Sequence, residues 1–463
     1  MMAGALILIR VDASRQIGTG HVMRCLTLAT AMREAGVTVE FICREHDGHL
    51  CDLLVQRGFA VRRLPAIGQA LASDSGSGAF GGLGGLGSFD GFGADAGFSP
   101  ALDRTPDTGS SASATATAGS ALAHAHWLGC DWTQDAAQSV ALLAAMPQRP
   151  AWLIVDHYAL DFRWQRVLRA HVGQIMVIDD LADRQHDCDL LLDQNWVAQM
   201  TSRYARRVSA SCTCLLGPQY ALLQAAYADL RAQRKERQDP PRRIFAFFGG
   251  FDPANLSGMA LDVFLAACQT VPAAEAAELQ LDLVLPAHHP QAFEIEKLAH
   301  QHANVHLYSQ LPGLAPLLAV ADLALGAGGA TSWERLCLGV PSLIVTVAAN
   351  QQPGAAEQQA HGVLHVLGHL DHASAGVGAF SSAGTFAAAR AALQARMQAA
   401  LQQVLAQGVA ALVPANLADV VDGLGVGRVL EKLLQQMPQD LQAHLSQQEQ
   451  QAQQAHGTDL EQE

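Results

Sequence analysis

Four short segments of this 463-residue chain combine residue types that can do chemistry. The first, Gly18-Thr19-Gly20-His21, follows an apolar run and precedes a stretch of helical composition, Val22 to Ala29. A glycine turn there lets a ligand approach the backbone, and the helix start beyond it offers N–H groups and a positive dipole. It is not a full dinucleotide signature, because the third glycine would fall at Met23; a phosphate-proximal loop and an ordinary tight turn both fit. His21 stands beside glycine rather than in an apolar stripe, where a neutral imidazole can take a proton from water or simply cap the helix. Asp12 and Arg24 flank the same loop and are candidate substrate contacts.

The second segment is Asp156-His157-Tyr158, with Asp161 beyond it, at the end of the hydrophobic run Ala151 to Val155. Asp, His and Tyr can orient substrate hydroxyls, amides or an attacking water, although a bland turn would look the same. The third, Gly326 to Glu334, is the strongest local signal. Gly328, Gly329, Thr331 and Ser332 suit close approach to a diphosphate, and Glu334 can accept both hydroxyl hydrogens of a ribose. Gly249, Gly250 and Asp252 form a second loop expected to face the same cleft. The fourth is Asn350-Gln351-Gln352, able to hydrogen-bond ligand oxygens or nitrogens, with a helix cap as the bland alternative for Asn350.

Other groupings carry less. Asp179, Asp180, Asp183, His186, Asp187, Cys188 and Asp189 invite a metal assignment, but they alternate with Leu181, Ala182 and Leu190 like a loop and strand boundary, and no metal is expected. Cys212 and Cys214 share one face of a strand and lack the second half of a zinc site.

Elements of an α/β protein must hold these segments. Ala5 to Arg10, Thr38 to Cys43, Ala60 to Leu64, Ala151 to Val155, Gln174 to Ile178 and Cys212 to Leu216 read as strands of a first, largely parallel sheet; helices are expected through Met32, from Asp47 to Gln56 and from Asp131 to Met146. A second set follows with Ile244 to Phe248, Gln280 to Leu285, Asn304 to Leu307, Asp322 to Leu325 and Ser342 to Val347. Two such domains leave a cleft between their ligand-facing loops. The expected layout is 1–230 as an N-terminal catalytic domain, 231–243 as a linker, 244–441 as a nucleotide-binding α/β and helical region, and 442–463 as a polar Gln-rich tail. The Gly-, Ser- and Ala-rich stretch 69–125 has little to bury and reads as a flexible insertion, a lid being the alternative.

A formal charge of -14 argues against a protein that coats nucleic acid or anionic membrane, while leaving room for a small anion held by backbone N–H groups. Nine scattered cysteines fit reduced thiols better than a disulfide scaffold. The apolar stretch near the start is too short for a secretory core, and a cytoplasmic location is expected.

Taken together, Asp12 to Ser14, Gly18 to Cys25, Val155 to Asp161, Val177 to Asp183, Cys188 to Asn195, Gly217-Pro218 with Tyr220 to Leu223, and Gly328 to Glu334 resemble the UDP-2,4-diacetamido-2,4,6-trideoxy-beta-L-altropyranose hydrolases of pseudaminic acid biosynthesis. That resemblance implies two Rossmann-like α/β domains in a GT-B-like arrangement with an interdomain cleft. It implies His21 as the base that activates water for inverting attack at the sugar C1, Tyr158 near the sugar, and Glu334 as the acid that contacts UDP. Asn350 matches the asparagine of the family's Glu-Asn-Gln element, which here reads Ala349-Asn350-Gln351 and so lacks one acid. The implied partners are the UDP-linked diacetamido-trideoxy sugar and water, with no cofactor, no nucleic acid or membrane, and a monomeric state. A UDP-sugar glycosyltransferase and a catalytically silent sugar-nucleotide sensor are the competing readings.

Overall fold

The computed structural model describes residues 5–66, 122–234, 237–370, 382–414, 420–439 and 441–443. Most of the expected insertion 69–125, and the tail from 444 on, lie outside the described residues. Residues 122–125 are described and lead into a short 3-10 turn, Ala125–Leu128.

Seven strands form the first sheet: β1 (Leu6–Val11), β2 (Thr38–Arg44), β3 (Ala60–Leu64), β4 (Trp152–Asp156), β5 (Gln174–Ile178), β6 (Leu190–Asp193) and β7 (Thr213–Leu216). Their order is β3-β2-β1-β4-β5-β6-β7, and every pairing is parallel. Helices cover both faces, so the central strands are apolar on both sides and read as continuous hydrophobic runs rather than alternating ones. All six residues of β1 are buried, Arg10 included. Arg10 is tolerated there because Asp12 and Asp135 neutralise it, at 2.5 and 2.8 Å.

The second sheet contains β8 (Arg243–Phe247), β9 (Gln280–Leu285), β10 (Val305–Ser309), β11 (Leu323–Ala327), β12 (Ser342–Thr346) and β13 (His365–His369), in the order β10-β9-β8-β11-β12-β13, again all parallel. Sequence reading misses β13, whose residues are mostly half-buried at the sheet edge and give no hydrophobic run. It also extends the second helix too far. Cys51–Gln56 is helical, whereas Gly48 sits at φ +81 in a turn that closes against Arg15 and Phe251.

In each sheet the chain reverses its winding direction once, between β1 and β4 and between β8 and β11. Crevices outside the carboxyl ends of strands at such switch points are where open α/β sheets bind ligands. Register sharpens this: Val11 lies opposite Asp156 and Gly326 opposite Phe247, which puts the segments beginning at Asp12, His157, Phe248 and Ala327 at the two switch points.

The helix Gly425–Gln435 departs from the expected layout. Val426, Val429 and Leu433, with Met437 beyond them, join the core formed by β1 and the helix Gly20–Glu34, so this part of 244–441 packs on the first unit. Burying such side chains contributes about 2 kcal/mol each, more than an exposed helix would gain in water. The stretch connecting the units is held rather than loose: the backbone N–H groups of Gln238, Arg242 and Arg243 all donate to Asp322.

Candidate functional site

The first unit brings His21, Arg24, Asp156, Tyr158 and Asp180 together. After β1 the chain turns on itself: the N–H of Gly18 donates to the Ser14 carbonyl at 2.8 Å, and the N–H of Ile17 to Ser14 Oγ at 2.9 Å. Gly18 takes φ +84, a conformation that glycine adopts at no steric cost, and Gly20 opens the helix that carries His21 and Arg24 one turn apart. His21 Nδ1 lies 2.6 Å from Asp156 Oδ1. Arg24 grips the same carboxylate with Nε and Nη2, each at 2.6 Å, and reaches Asp180 with Nη1 at 3.2 Å.

Asp156 can only accept, so its contact assigns the proton to His21 Nδ1; Arg24 Nη2, 3.2 Å from that nitrogen, is already committed to the carboxylate. Nε2 then holds a lone pair, has no protein partner among the described residues and reaches solvent, although the His21 residue is only 9% exposed. Burial would push the Asp156 carboxyl up, but Arg24 and His21 hold it below the usual carboxylate range. The result is a fixed anion that orients an imidazole whose outer nitrogen is free to take a proton.

Several sequence-predicted contacts are support instead. Asp12 and Asp156 are wholly buried, and His157 nearly so. Asp12 accepts from Arg10 and from the Arg44 N–H, and His157 Nε2 lies 3.2 Å from Asp12. All three are buried at the strand ends, where ion pairs and hydrogen bonds offset the cost of taking charge out of water, although Asp12 Oδ2 and His157 Nε2 find no hydrogen-bond partner among the described residues. Arg24 is likewise consumed by Asp156 and Asp180.

Tyr158, expected as a catalytic group, is 3% exposed. Its hydroxyl donates to Asp180 Oδ1 and accepts from Asn350 Nδ2 at 3.2 Å. Burial and the Asp180 carboxylate push the phenol up, so it stays protonated. Tyr158 therefore links the two units across the cleft and packs edge-on against His21, with ring centroids 4.6 Å apart.

Sequence reading missed the turn Ala125–Leu128. Trp127 stacks on Tyr158 at 5.3 Å and meets His21 edge-on at 6.3 Å, and His124 packs on both Trp127 and Tyr158. His126 Nε2, 2.9 Å from Gln16 Nε2, ties the turn to the first loop. The one available signal was a His/Trp cluster, His124 to Trp127, exactly where the low-complexity stretch ends, a change of composition without periodicity.

The second unit supplies the opposite wall. Gly249 (φ +106) has open space where a side chain would stand, while a Cβ on Gly250 would lie 2.6 Å from the Thr19 hydroxyl. Glycine is required at 250 for this close approach of the two units. Gly328 and Gly329 are flanked by the Gln351 amide, which is itself held by the Val347 N–H at 2.9 Å. Thr331 Oγ1 and Ser332 Oγ accept from the Arg335 guanidinium at 3.0 and 2.9 Å. Burial pushes the Glu334 carboxyl up to about 7, and its Oε2, itself buried, has no hydrogen-bond partner among the described residues. Asn350 serves the cross-cleft bond to Tyr158 rather than a helix cap.

No protein-family model matches the chain. It is 24% identical over 204 residues to the UDP-2,4-diacetamido-2,4,6-trideoxy-beta-L-altropyranose hydrolase of Campylobacter jejuni, an alignment that spans 44% of this chain and 69% of that one. Over 135 residues it is 27% identical to the spore coat polysaccharide biosynthesis protein SpsG of Bacillus subtilis, spanning 29% and 38% of the two chains. Among solved structures, the glycotransferase of kitacinnamycin superposes with a TM-score of 0.51 at 14% identity, covering 95% of this chain and all of that one. These residues build two Rossmann-like α/β units with a cleft between their switch points, a GT-B-like fold. Among the described residues, no helix is long and apolar enough to cross a membrane.

Proposed function

We propose that the chain is a UDP-sugar-dependent enzyme that breaks the bond between the sugar C1 and the diphosphate oxygen. The observation that carries this reading is the His21–Asp156 pair beside a cleft whose other wall is a glycine loop: a proton acceptor faces a site suited to a departing diphosphate. The finer reading is hydrolysis of UDP-2,4-diacetamido-2,4,6-trideoxy-beta-L-altropyranose, the activity named for the Campylobacter relative. His21 Nε2 removes a proton from water as the water oxygen bonds to C1; the C1–O bond breaks with its electron pair going to UDP, and the configuration at C1 inverts. Asp156 stabilises the imidazolium that forms, and the loop from Gly328 to Ser332 receives the charge that develops on the diphosphate. The sugar then enters pseudaminic acid biosynthesis.

Transfer of the same sugar to a hydroxyl acceptor is the second reading, and the broader comparison leans toward it, since the likeness to a glycotransferase covers 95% of the chain against 44% for the hydrolase. Incubating the protein with the UDP-sugar and no acceptor, then measuring UDP and free sugar, separates the two. Stoichiometric release of both products supports hydrolysis; release of UDP only when a hydroxyl acceptor is added supports transfer and sinks the hydrolase reading.

A further inference from the structure

Arg335 is 1% exposed, and among the described residues it forms no ion pair. Its guanidinium donates to the Ala327 carbonyl at 2.8 Å, to Thr331 Oγ1 at 3.0 Å and to Ser332 Oγ at 2.9 Å; its Nε has no partner among the described residues. Gly326 is shaped around it, because a Cβ there would lie 2.6 Å from Arg335 Nη1 and 3.0 Å from the Phe247 carbonyl. Glu334, the nearest acid in sequence, leans on Tyr227 instead, with its carboxyl pushed up to about 7. Burial lowers the guanidinium to about 10, although Glu334 and Tyr227 act to raise it.

An unneutralised cation inside a protein is costly, and native structures normally compensate it with a carboxylate, as Asp12 and Asp135 do for Arg10. Here no carboxylate comes within ion-pair distance among the described residues, Glu334 acting on the guanidinium only from farther off, and the donors instead occupy one lone pair on each of two hydroxyls. A hydroxyl that accepts from behind has its own O–H left to donate. Neither Thr331 nor Ser332 uses that hydrogen on a protein acceptor among the described residues, and Ser332 is itself buried.

We propose that Arg335 is a positioning residue for nucleotide binding: it aims the Thr331 and Ser332 hydroxyls at the ligand's diphosphate, which supplies the negative charge this buried guanidinium lacks. The proposal rests on the UDP-sugar reading of the cleft. It makes the loop selective for diphosphate over uncharged nucleoside, through a residue that does not itself touch the ligand.

Calorimetric titration of the full chain with UDP and, separately, with uridine tests it, alongside thermal melts of each variant. Arg335→Gln is expected to weaken UDP binding roughly 10- to 100-fold, the scale of one or two charge-assisted hydrogen bonds, and to change uridine binding less than about twofold. Arg335→Lys, which keeps the charge, is expected to recover part of the UDP affinity. If Arg335→Gln melts before titration, the double variant Thr331→Val with Ser332→Ala, which leaves Arg335 in its socket, is expected to give the same selective loss of UDP. Unchanged UDP binding, or parallel loss of UDP and uridine, in whichever variant is folded overturns the proposal. A wild-type chain that binds neither ligand instead overturns the UDP-sugar reading, and this proposal with it.

Discussion

The two walls of the cleft handle charge in opposite ways. On the first unit every buried carboxylate has its cation: Asp156 holds His21 and Arg24, Asp12 holds Arg10, and Asp179 holds Arg184 at 2.8 Å. On the second unit, beside the glycine loop, Glu334 has an orphaned oxygen and Arg335 lacks an ion pair among the described residues. Ion pairing fixes the first network and orients one reactive nitrogen in advance, although Asp12 Oδ2 and Asp179 Oδ1 still lack a hydrogen-bond partner among the described residues; on the second, the unpaired guanidinium leaves a charge that a ligand can complete. On the reading proposed above, chemistry belongs to the first wall and nucleotide recognition to the second.

The sharpest way to break that division is His21→Ala. If the first wall does the chemistry, UDP release from the UDP-sugar falls about 10²- to 10⁴-fold, the usual contribution of a general base, while UDP affinity in a direct titration stays within about twofold. Equal losses in both measurements would mean that His21 belongs to binding.

The buried carboxylates should also answer pH with opposite signs, a split that does not follow the walls alone, because burial raises Asp193 on the first unit to about 7 as it does Glu334. Asp12, Asp156 and Asp179 have folded-state values held below the usual carboxylate range, each by partner cations that outweigh burial. Their contribution to stability is complete above the unfolded carboxylate value, about pH 4, and is lost as pH falls through the lower folded values. Glu334 is the reverse: its folded value, pushed up to about 7, exceeds its ordinary one, so its contribution is complete at low pH and is lost as pH rises toward and through 7. Glu334→Gln should therefore stabilise the chain at pH 8 by roughly 1–3 kcal/mol in urea unfolding, with a smaller gain at pH 5, and weaken nucleotide binding by removing a hydroxyl acceptor. Stability that drops equally at both pH values would contradict the burial argument.

The smallest effect is expected at the contact joining the walls. Asn350→Ala removes one partly exposed hydrogen bond, and Tyr158 keeps Asp180, so a loss of about 1 kcal/mol is expected. It should appear as a several-fold rise in KM with kcat nearly unchanged; a fall in kcat alone would mean that Tyr158 helps orient His21.

Much of the framework was legible because its signals are local. β5 and β9 have the bounds that their apolar runs predict, and β1, β4 and β12 are each displaced by about one residue. The glycine turns at Gly18 and Gly328 stand at strand ends, where the switch points need them. The roles of polar residues were harder to read. Asp12, His157 and Tyr158 look like ligand contacts in sequence, but each is spent on a partner more than 20 residues away: Arg44, Asp12 and Asp180. Trp127 and His124 lack periodicity and left only a change of composition to read, and Arg335 sits on a short helix where nothing in the local pattern announces an unpaired guanidinium.

By itself the sequence determined two parallel α/β units, because runs of apolar residues bounded by glycine and polar turns can bury themselves in few other ways. It also determined that a histidine and two glycine loops follow strands. Only the tertiary structure decided which side chain is free to act. That choice depends on how many partners each donor and acceptor finds across the fold, and those partners are distant in the chain: Asp156 for His21, Asn350 for Tyr158, and no ion-pair partner among the described residues for Arg335.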